Sequence, residues 1–492
     1  MNFTEYLFEN IHQPSDLCII HKEISYSYSE IISLINNLSE YLKSIIGCGN
    51  ECLLLSENTP FFVISYFAII KSGNTALLVE TQISDEDLAS IFHRCRIRAS
   101  FVQKSLIKKK KFDDLTFTED VLLALPQMAR QKNHYVNDND IAAVIFTSGS
   151  TGTKKGVMLT HRNLCSNTEA IVQYLNLTSK DRICATLPFF YCYGASLLHT
   201  HIRVKGSVVL SNNIFLGGAL HDINTLSCTG FAGVPSTYQI LITKTPFLNE
   251  KLPTLRYMMQ AGGQLPNKYI EMIAKSFPEK LFFVMYGATE ATARLSYLPP
   301  DMVLNKLGSI GKGIPGVTLK VINKDGKPVQ PGETGEIIAF GENIMKGYYG
   351  DPEGTQVILK DGWLHTGDLA TVDDEGYIFI VDRAKNIIKS GGYRISPKEI
   401  EDIICSLDGV NGCVVIGQQD EIMGEAVVAV VQPGNIPETS LKELILEHCT
   451  KKLPSYKIPR FIYFVREFPL NTSNKVDRHV LAAELKKRSG EL

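Results

Sequence analysis

No charge of either sign dominates this chain. Its formal net charge is −2 over 492 residues, which excludes the broad field with which basic proteins find nucleic acid or an anionic membrane. One basic cluster interrupts the balance, Lys108 to Lys111, and a run that short reads as solvated surface. Long apolar runs are absent too. The most apolar stretch, FFVISYFAII at 61–70, is about half the roughly 20 residues a membrane-spanning helix needs. It follows Pro60, a favoured first helical residue, and predicts a core helix. The N-terminal MNFTEYLFEN carries acidic residues and no apolar core, unlike a signal peptide. The eleven cysteines are scattered, and the close pair Cys48 and Cys52 has no second pair to complete a zinc-like set. Reduced, buried thiols in a cytoplasmic, soluble protein without nucleic-acid partners are the expectation.

What is present is ordinary in bulk and informative in order. Hydrophobic residues make up 44% and charged residues 21%, as in globular proteins, and a prior of about one domain per 100–200 residues allows two to four units. In residues 27–46, Ile31, Leu34, Ile35, Leu38, Tyr41, Leu42 and Ile45 share one helical face. ECLLLSE (51–57), NTALLVE (74–80) and IRASFVQ (97–103) read as buried strands. This alternation predicts an α/β architecture with a largely parallel sheet. The character changes near residue 308, where Gly, Pro and β-branched residues and the turns KDGK and PGETGE mark a β-rich subdomain. A small α+β unit follows, with the boundary expected between Asp382 and Lys385.

The apolar run Ile141–Phe146 opens into TSGSTGTKKGVMLTH (147–161), which is rich in Gly, Ser and Thr. Such loops offer backbone amides and hydroxyls to phosphate. The usual phosphate-loop spacing, however, needs Lys-Ser/Thr directly after its last glycine. Here Gly152 is followed by Thr153.

Seven motifs stand in one order: TSGSTGTKKG (147–156), LPFFYCYG (187–194), AGG (261–263), YGATE (286–290), TGD (366–368), DRAKNIIKSGGYRISPKEIE (382–401) and NTSNKVDR (471–478). Together they resemble the superfamily of adenylate-forming enzymes, which includes acyl-CoA synthetases, peptide-synthetase adenylation domains and beetle luciferase. The resemblance covers nearly the whole chain. It implies a large N-terminal AMP-binding domain (1–382), built of two α/β subdomains and a β-barrel subdomain, and a small mobile α+β C-terminal lid (383–492) hinged near Lys385. It also implies activation of a carboxylic acid with ATP and Mg2+ to acyl-AMP and pyrophosphate. The acyl group then passes to a pantetheine thiol, coenzyme A first and the phosphopantetheine of an acyl carrier protein second. A non-catalytic acyl-adenylate binder is the alternative of another class.

Carried over by position, Thr147, Ser148, Gly149, Ser150, Thr151, Gly152 and Lys155 would meet the departing phosphates. Glu290 would ligate magnesium, with Thr289 donating near the α-phosphate. Gly262, Gly263, Tyr286 and Gly287 would line the adenine, and Asp368 and Arg383 would hold the ribose. Lys475 matches the lysine that serves adenylation, and Lys389 the one presented in a second lid pose. Asn474 stands where the family usually has glycine before the lysine, and Asn tolerates left-handed backbone. Phe190, Tyr191 and Gly194 belong to the expected acyl pocket. That stretch holds no acidic residue, so an α-amino acid would leave its ammonium unpaired among aromatic rings. An aryl or aliphatic acid is expected. His199 and His201, on an apolar segment, read as structural.

Overall fold

The computed structural model describes residues 1–107, 112, 115–125, 136–148, 154–211, 216–383, 386–420, 423–471 and 475–489. The Lys108–Lys111 cluster, Gly149, Ser150, Thr151, Gly152, the hinge residue Lys385 and Asn474 lie outside the described residues.

The predicted strands form where the apolar runs stand. Glu51–Leu55, Thr75–Leu78 and Ile97–Val102 pair in parallel, and Leu53, Leu54, Leu77 and Phe101 are all buried. They belong to a seven-stranded sheet that also takes in Ile141–Ser148, Lys154–Thr160, Leu115–Phe117 and Gly347–Tyr348. The helix Tyr28–Ile46 begins at a capping box, with the Ser27 hydroxyl accepting from Glu30 N–H and the Glu30 carboxylate from Ser27 N–H. Such a cap contributes about 1 kcal/mol. The helix Pro60–Lys71 starts on the Thr59 side-chain cap, and every residue from 61 to 70 is buried. It is apolar all round because it is covered on all sides. It packs on the first two strands, and Phe62 and Tyr66 reach Phe189 and His199 of the second layer.

The second sheet has fourteen strands and two characters. Its parallel part runs Leu281–Tyr286, Tyr257–Gln260, Gly230–Gly233, Arg182–Ala185, Ser207–Leu210 and Leu17–His21. Beyond Tyr286 it continues as antiparallel strands through Ser296–Leu298 and Ser309–Gly313 to the β-rich segment ending in Trp363–Val372 and Ile378–Arg383. The predicted change near 308 is therefore a change of strand pairing within one continuous sheet.

The third sheet uses only strands after residue 387. The long hairpin Val410–Asp420 with Gly424–Pro433 forms its centre, and the helices Pro397–Cys405 and Glu438–Lys452 cover it. This small unit touches the large one through the helix Asn267–Ser276. The Tyr269 hydroxyl donates to Asn411 O at 2.6 Å, the Lys268 ammonium donates to Val410 O, and Gln264 Nε2 donates to Asp402 at 3.1 Å.

At Gly311 the backbone has φ +77°, and a Cβ would stand 1.8 Å from the Tyr297 carbonyl oxygen. Strand register there admits only glycine. Gly311→Ala is expected to cost about 1–3 kcal/mol of unfolding free energy, read as a lower urea midpoint with an unchanged slope.

Candidate active site

In parallel sheets, ligands bind where strands end at their carboxyl edges. Tyr286 is the last residue of its strand, and Gly262 and Gly263 follow the neighbouring strand Tyr257–Gln260. Gly287 continues from Tyr286 so close to the returning chain that a Cβ would lie 1.8 Å from the Ala293 carbonyl oxygen. All four line a cavity of ≈ 410 Å³, together with Asp368, Arg383 and Lys475. Seven residues singled out from the sequence thus come together from five separate stretches of chain. The volume falls within the range of small-molecule clefts.

Asp368 is the electrostatic centre of this cavity. Its buried carboxylate accepts from the Tyr286 hydroxyl at 2.6 Å and pairs with Arg383 Nε at 2.8 Å. Burial, then the Asp368 charge, push the Tyr286 phenol far above its ordinary value. The Asp368 charge raises the Arg383 guanidinium. The Tyr286 phenol therefore stays protonated and donates to Asp368.

Lys475 arrives from the far end of the chain. A Cβ built on Gly262 would stand 3.1 Å from its Cε and 3.7 Å from its Nζ. The side chain is open to the cavity, yet protein surrounds it. That desolvation holds its ammonium below the ordinary lysine value. Arg383 adds to the depression, against the opposing influence of Cys192, Glu290 and Asp368. Lys389 is not brought to the cavity. It sits exposed on the short strand Ile388–Ser390, its backbone N–H donating to Glu425 at 2.6 Å.

A second cluster adjoins the first. The Tyr348 hydroxyl donates to Glu290 Oε1 at 2.7 Å, and Lys155 Nζ lies 4.5 Å from the centroid of the Tyr348 ring and 3.2 Å from Asp351 Oδ2. Burial, then Glu290, raise the Tyr348 phenol. The Gly354 N–H, then Lys155, hold Asp351 below its ordinary value against the opposing effect of burial. Thr289 Oγ1 is 3.4 Å from Cys192 Sγ. The strand Ile141–Ser148 runs two residues past the predicted end, and Thr147 pairs with Lys155 and Ser148 with Lys154 across an antiparallel ladder. Both lysines therefore stand on the strand Lys154–Thr160 that pairs with it.

The acyl-pocket stretch opens the helix Cys192–Arg203. Phe190 is buried, and at Gly194 a Cβ would meet Pro188 O at 2.0 Å. An acid does reach this stretch, from elsewhere: the Tyr191 hydroxyl donates to Glu80 Oε2 at 2.9 Å, and Lys154 pairs with the same carboxylate. Sequence reasoning missed Glu80, Tyr348 and Asp351, none of which has a local pattern of its own. His199 and His201 are buried separately, the first 3.1 Å from the Tyr66 hydroxyl and the second 2.7 Å from that of Tyr257. Burial lowers them to about 3 and about 4. Each has a tyrosine partner in its own pocket, as expected of structural histidines.

A large α/β domain, a small α+β unit and a cavity at the strand ends that receives a lysine from that unit define an adenylate-forming enzyme. A family model described as AMP-binding enzyme matches residues 8–349, and one described as AMP-binding enzyme C-terminal domain matches 399–475. The chain belongs to this AMP-binding enzyme family, and its class is that of the AMP-forming acyl-CoA ligases. Feruloyl-CoA synthase from an Amycolatopsis species is 35% identical, over 97% of this chain and 96% of the relative. The 2-succinylbenzoate–CoA ligase of Bacillus cytotoxicus is 31% identical over 94% and 93%. Among solved structures, O-succinylbenzoate coenzyme A synthetase from Bacillus subtilis, in complex with ATP and magnesium ion, superposes with a TM-score of 0.86 at 26% identity, covering 97% of this chain and 98% of that one. Among the described residues no helix is long and apolar enough to cross a membrane.

Asp368→Ala strands the Tyr286 hydroxyl without its acceptor. A loss of about 1–3 kcal/mol in stability is expected, seen as a lower melting temperature, whereas Asp368→Glu is expected to recover part of it.

Proposed function

We propose that this cavity runs the attack of a carboxylate on the α-phosphate of ATP, with Lys475 as the group nearest the bond being made. The observation that carries this reading is the position of Lys475. A cation from the small unit stands against Gly262, in the cavity that Tyr286, Asp368 and Arg383 line.

The chemistry explains the arrangement. Carboxylate and triphosphate are both anionic, and their approach builds further negative charge at the α-phosphorus. Preorganised cations and donors stabilise that charge without reorganising at the moment of reaction. A carboxylate oxygen bonds to the α-phosphorus as the bond to the bridging oxygen breaks, and pyrophosphate leaves. Lys475 faces the new bond. Thr147, Ser148, Gly149, Ser150, Thr151, Gly152 and Lys155 hold the departing phosphates. Thr289 donates beside the α-phosphate, and Asp368 and Arg383 hold the ribose hydroxyls. Gly262, Gly263 and Gly287 let the backbone approach an adenine stacked on Tyr286.

Glu290 offers a hard oxygen of the kind magnesium takes, and the ion would offset phosphate charge when bound. Among the described residues no three His, Cys, Asp or Glu side chains cluster as a ready-made cage. One carboxylate plus substrate phosphates suits magnesium in nucleotide sites.

In the second half-reaction a thiol attacks the acyl carbonyl and AMP leaves. Lys475 and Lys389 stand on different parts of the small unit and cannot serve one site in one pose. We assign 1–382 to the body and 383–492 to a lid that turns about Lys385 between half-reactions, a hinge motion. The pose described here, with Lys475 inside, suits adenylation. Coenzyme A is the favoured acceptor, supported by the coenzyme A ligases among the relatives; a carrier-protein phosphopantetheine presents the same thiol. The acid is aryl or aliphatic: the residues that open the helix Cys192–Arg203 carry no carboxylate of their own, and Glu80, which reaches them, is engaged by Lys154 and the Tyr191 hydroxyl.

Lys475→Ala is expected to lower pyrophosphate release by about 10²-fold or more, while thioester formation from supplied acyl-adenylate stays near wild type. Lys389→Ala is expected to do the reverse. Equal loss of both steps in either variant would sink the division of labour. Release should also fall as pH rises, because the protonated amine is lost as pH climbs through a pKa lowered from 10.5. In Lys475→Arg this alkaline limb should move upward; a limb that stays in place belongs to another group.

A further inference from the structure

Two neighbouring residues of the large unit close its seam with the small one. Lys268 and Tyr269, at the start of the helix Asn267–Ser276, donate to the carbonyls of two neighbouring residues, Val410 and Asn411, where the long hairpin begins. The hairpin itself serves these carbonyls poorly. Val410 stands opposite Pro433, which has no N–H to give. Asn411 is the residue that the register skips between Val410 and Gly412, a β-bulge whose extra residue is left unpaired. A carbonyl without a donor is costly where water is excluded. Water is excluded here: Tyr269 is buried, and desolvation holds the Lys268 ammonium below its ordinary value, against the opposing influence of Cys405 and Asp408.

On both sides of the seam this contact is tied to Lys475. On the large unit, Lys268 and Tyr269 follow shortly after Gly262, the residue that Lys475 stands against. On the small unit, a Cβ on Gly412 would stand 2.9 Å from the Phe468 ring, so that ring lies against the bulge. Phe468 and Val476 pack in one apolar cluster, and Val476 bridges Leu470. Within that bridge the Asn471 N–H donates to Lys475 O at 2.8 Å, and the Lys475 N–H donates to Asn471 Oδ1 at 3.0 Å. The bulge and the turn that presents Lys475 are thus parts of one packed body. The other contacts across the seam are weaker. Lys244 and Glu467 pair at 51% and 70% exposure, where ion pairs contribute little. Gln264 reaches Asp402 from an exposed position.

We propose that Lys268 and Tyr269 are positioning residues for adenylation: they hold the small unit, by its Val410 and Asn411 carbonyls, in the pose that keeps Lys475 in the cavity. The inference rests on the reading of a lid that turns between half-reactions, and it assigns the latch of one pose. In this pose two donors and two acceptors satisfy one another without water. When the lid turns, water replaces each partner, so the latch favours one pose without blocking the other. The adenine and ribose contacts belong to the large unit. Losing the latch therefore lowers the fraction of molecules with Lys475 in place rather than the affinity for ATP.

The test separates the half-reactions in the full-length protein. The first readout is pyrophosphate release with ATP, magnesium and the best acid of an aryl and aliphatic panel, benzoate and hexanoate among them. The second is thioester formation from the matching acyl-adenylate and coenzyme A. Tyr269→Phe, which keeps the ring, is expected to lower release about threefold to tenfold, and Lys268→Met about tenfold or more. Both should act through kcat, with KM for ATP near wild type, while thioester formation holds its rate or rises. Lys268→Arg should regain part of the release. Should Lys268→Met or Tyr269→Phe fail to fold, Gln264→Ala, on the exposed rim of the same seam, should show the same split at smaller size. Equal loss of both steps makes the two residues merely structural and overturns the inference, as does release that no variant lowers. In either case Lys475→Ala still decides the adenylation reading by itself. No release with any acid of the panel overturns both.

Discussion

The site depends on one buried carboxylate. Asp368 lies in the antiparallel part of the large sheet, Tyr286 ends its parallel part, and Arg383 is the last residue of the strand from which the chain leaves for the small unit. A buried carboxylate is costly unless donors and countercharge surround it, so its two partners hold three regions of the fold in register. The cavity forms around that node because the parallel strands Tyr257–Gln260 and Leu281–Tyr286 end there.

Around the node, charge is distributed by role. Lys475 is held below its ordinary basicity by desolvation, yet three groups of opposing influence keep it from being stranded. Lys155 rests on Asp351 and the Tyr348 ring, and Lys154 on Glu80. These lysines are parked on local carboxylates, ion pairs that a more highly charged phosphate chain can displace.

Much of this was legible in one dimension. The amphipathic helix within 27–46, the apolar helix after Pro60 and the parallel strands from 51 to 102 follow from local spacing, and the structure has them within a residue or two. The ordered motifs brought Gly262, Gly263, Tyr286, Gly287, Asp368, Arg383 and Lys475 to one cavity in advance. The glycine-rich segment was read less well. Thr147 and Ser148 continue the strand because backbone ladders accept any residue that keeps its N–H and C=O, and pairing with Lys154 and Lys155 outweighs their loop-like side chains.

Glu80, Tyr348 and Asp351 were not legible, for one physical reason. Glu80 meets Tyr191 across 111 positions and Tyr348 meets Glu290 across 58. Helix, strand and cap depend on neighbours a few residues apart, so residue order alone specifies them. Which cation meets which carboxylate depends on strand order in the sheets and on how the small unit docks, because burial and Coulomb energy follow distance in space. The ordered motifs carried the reaction class; the folded chain decided where its charges meet, because those pairings span residues far apart in sequence.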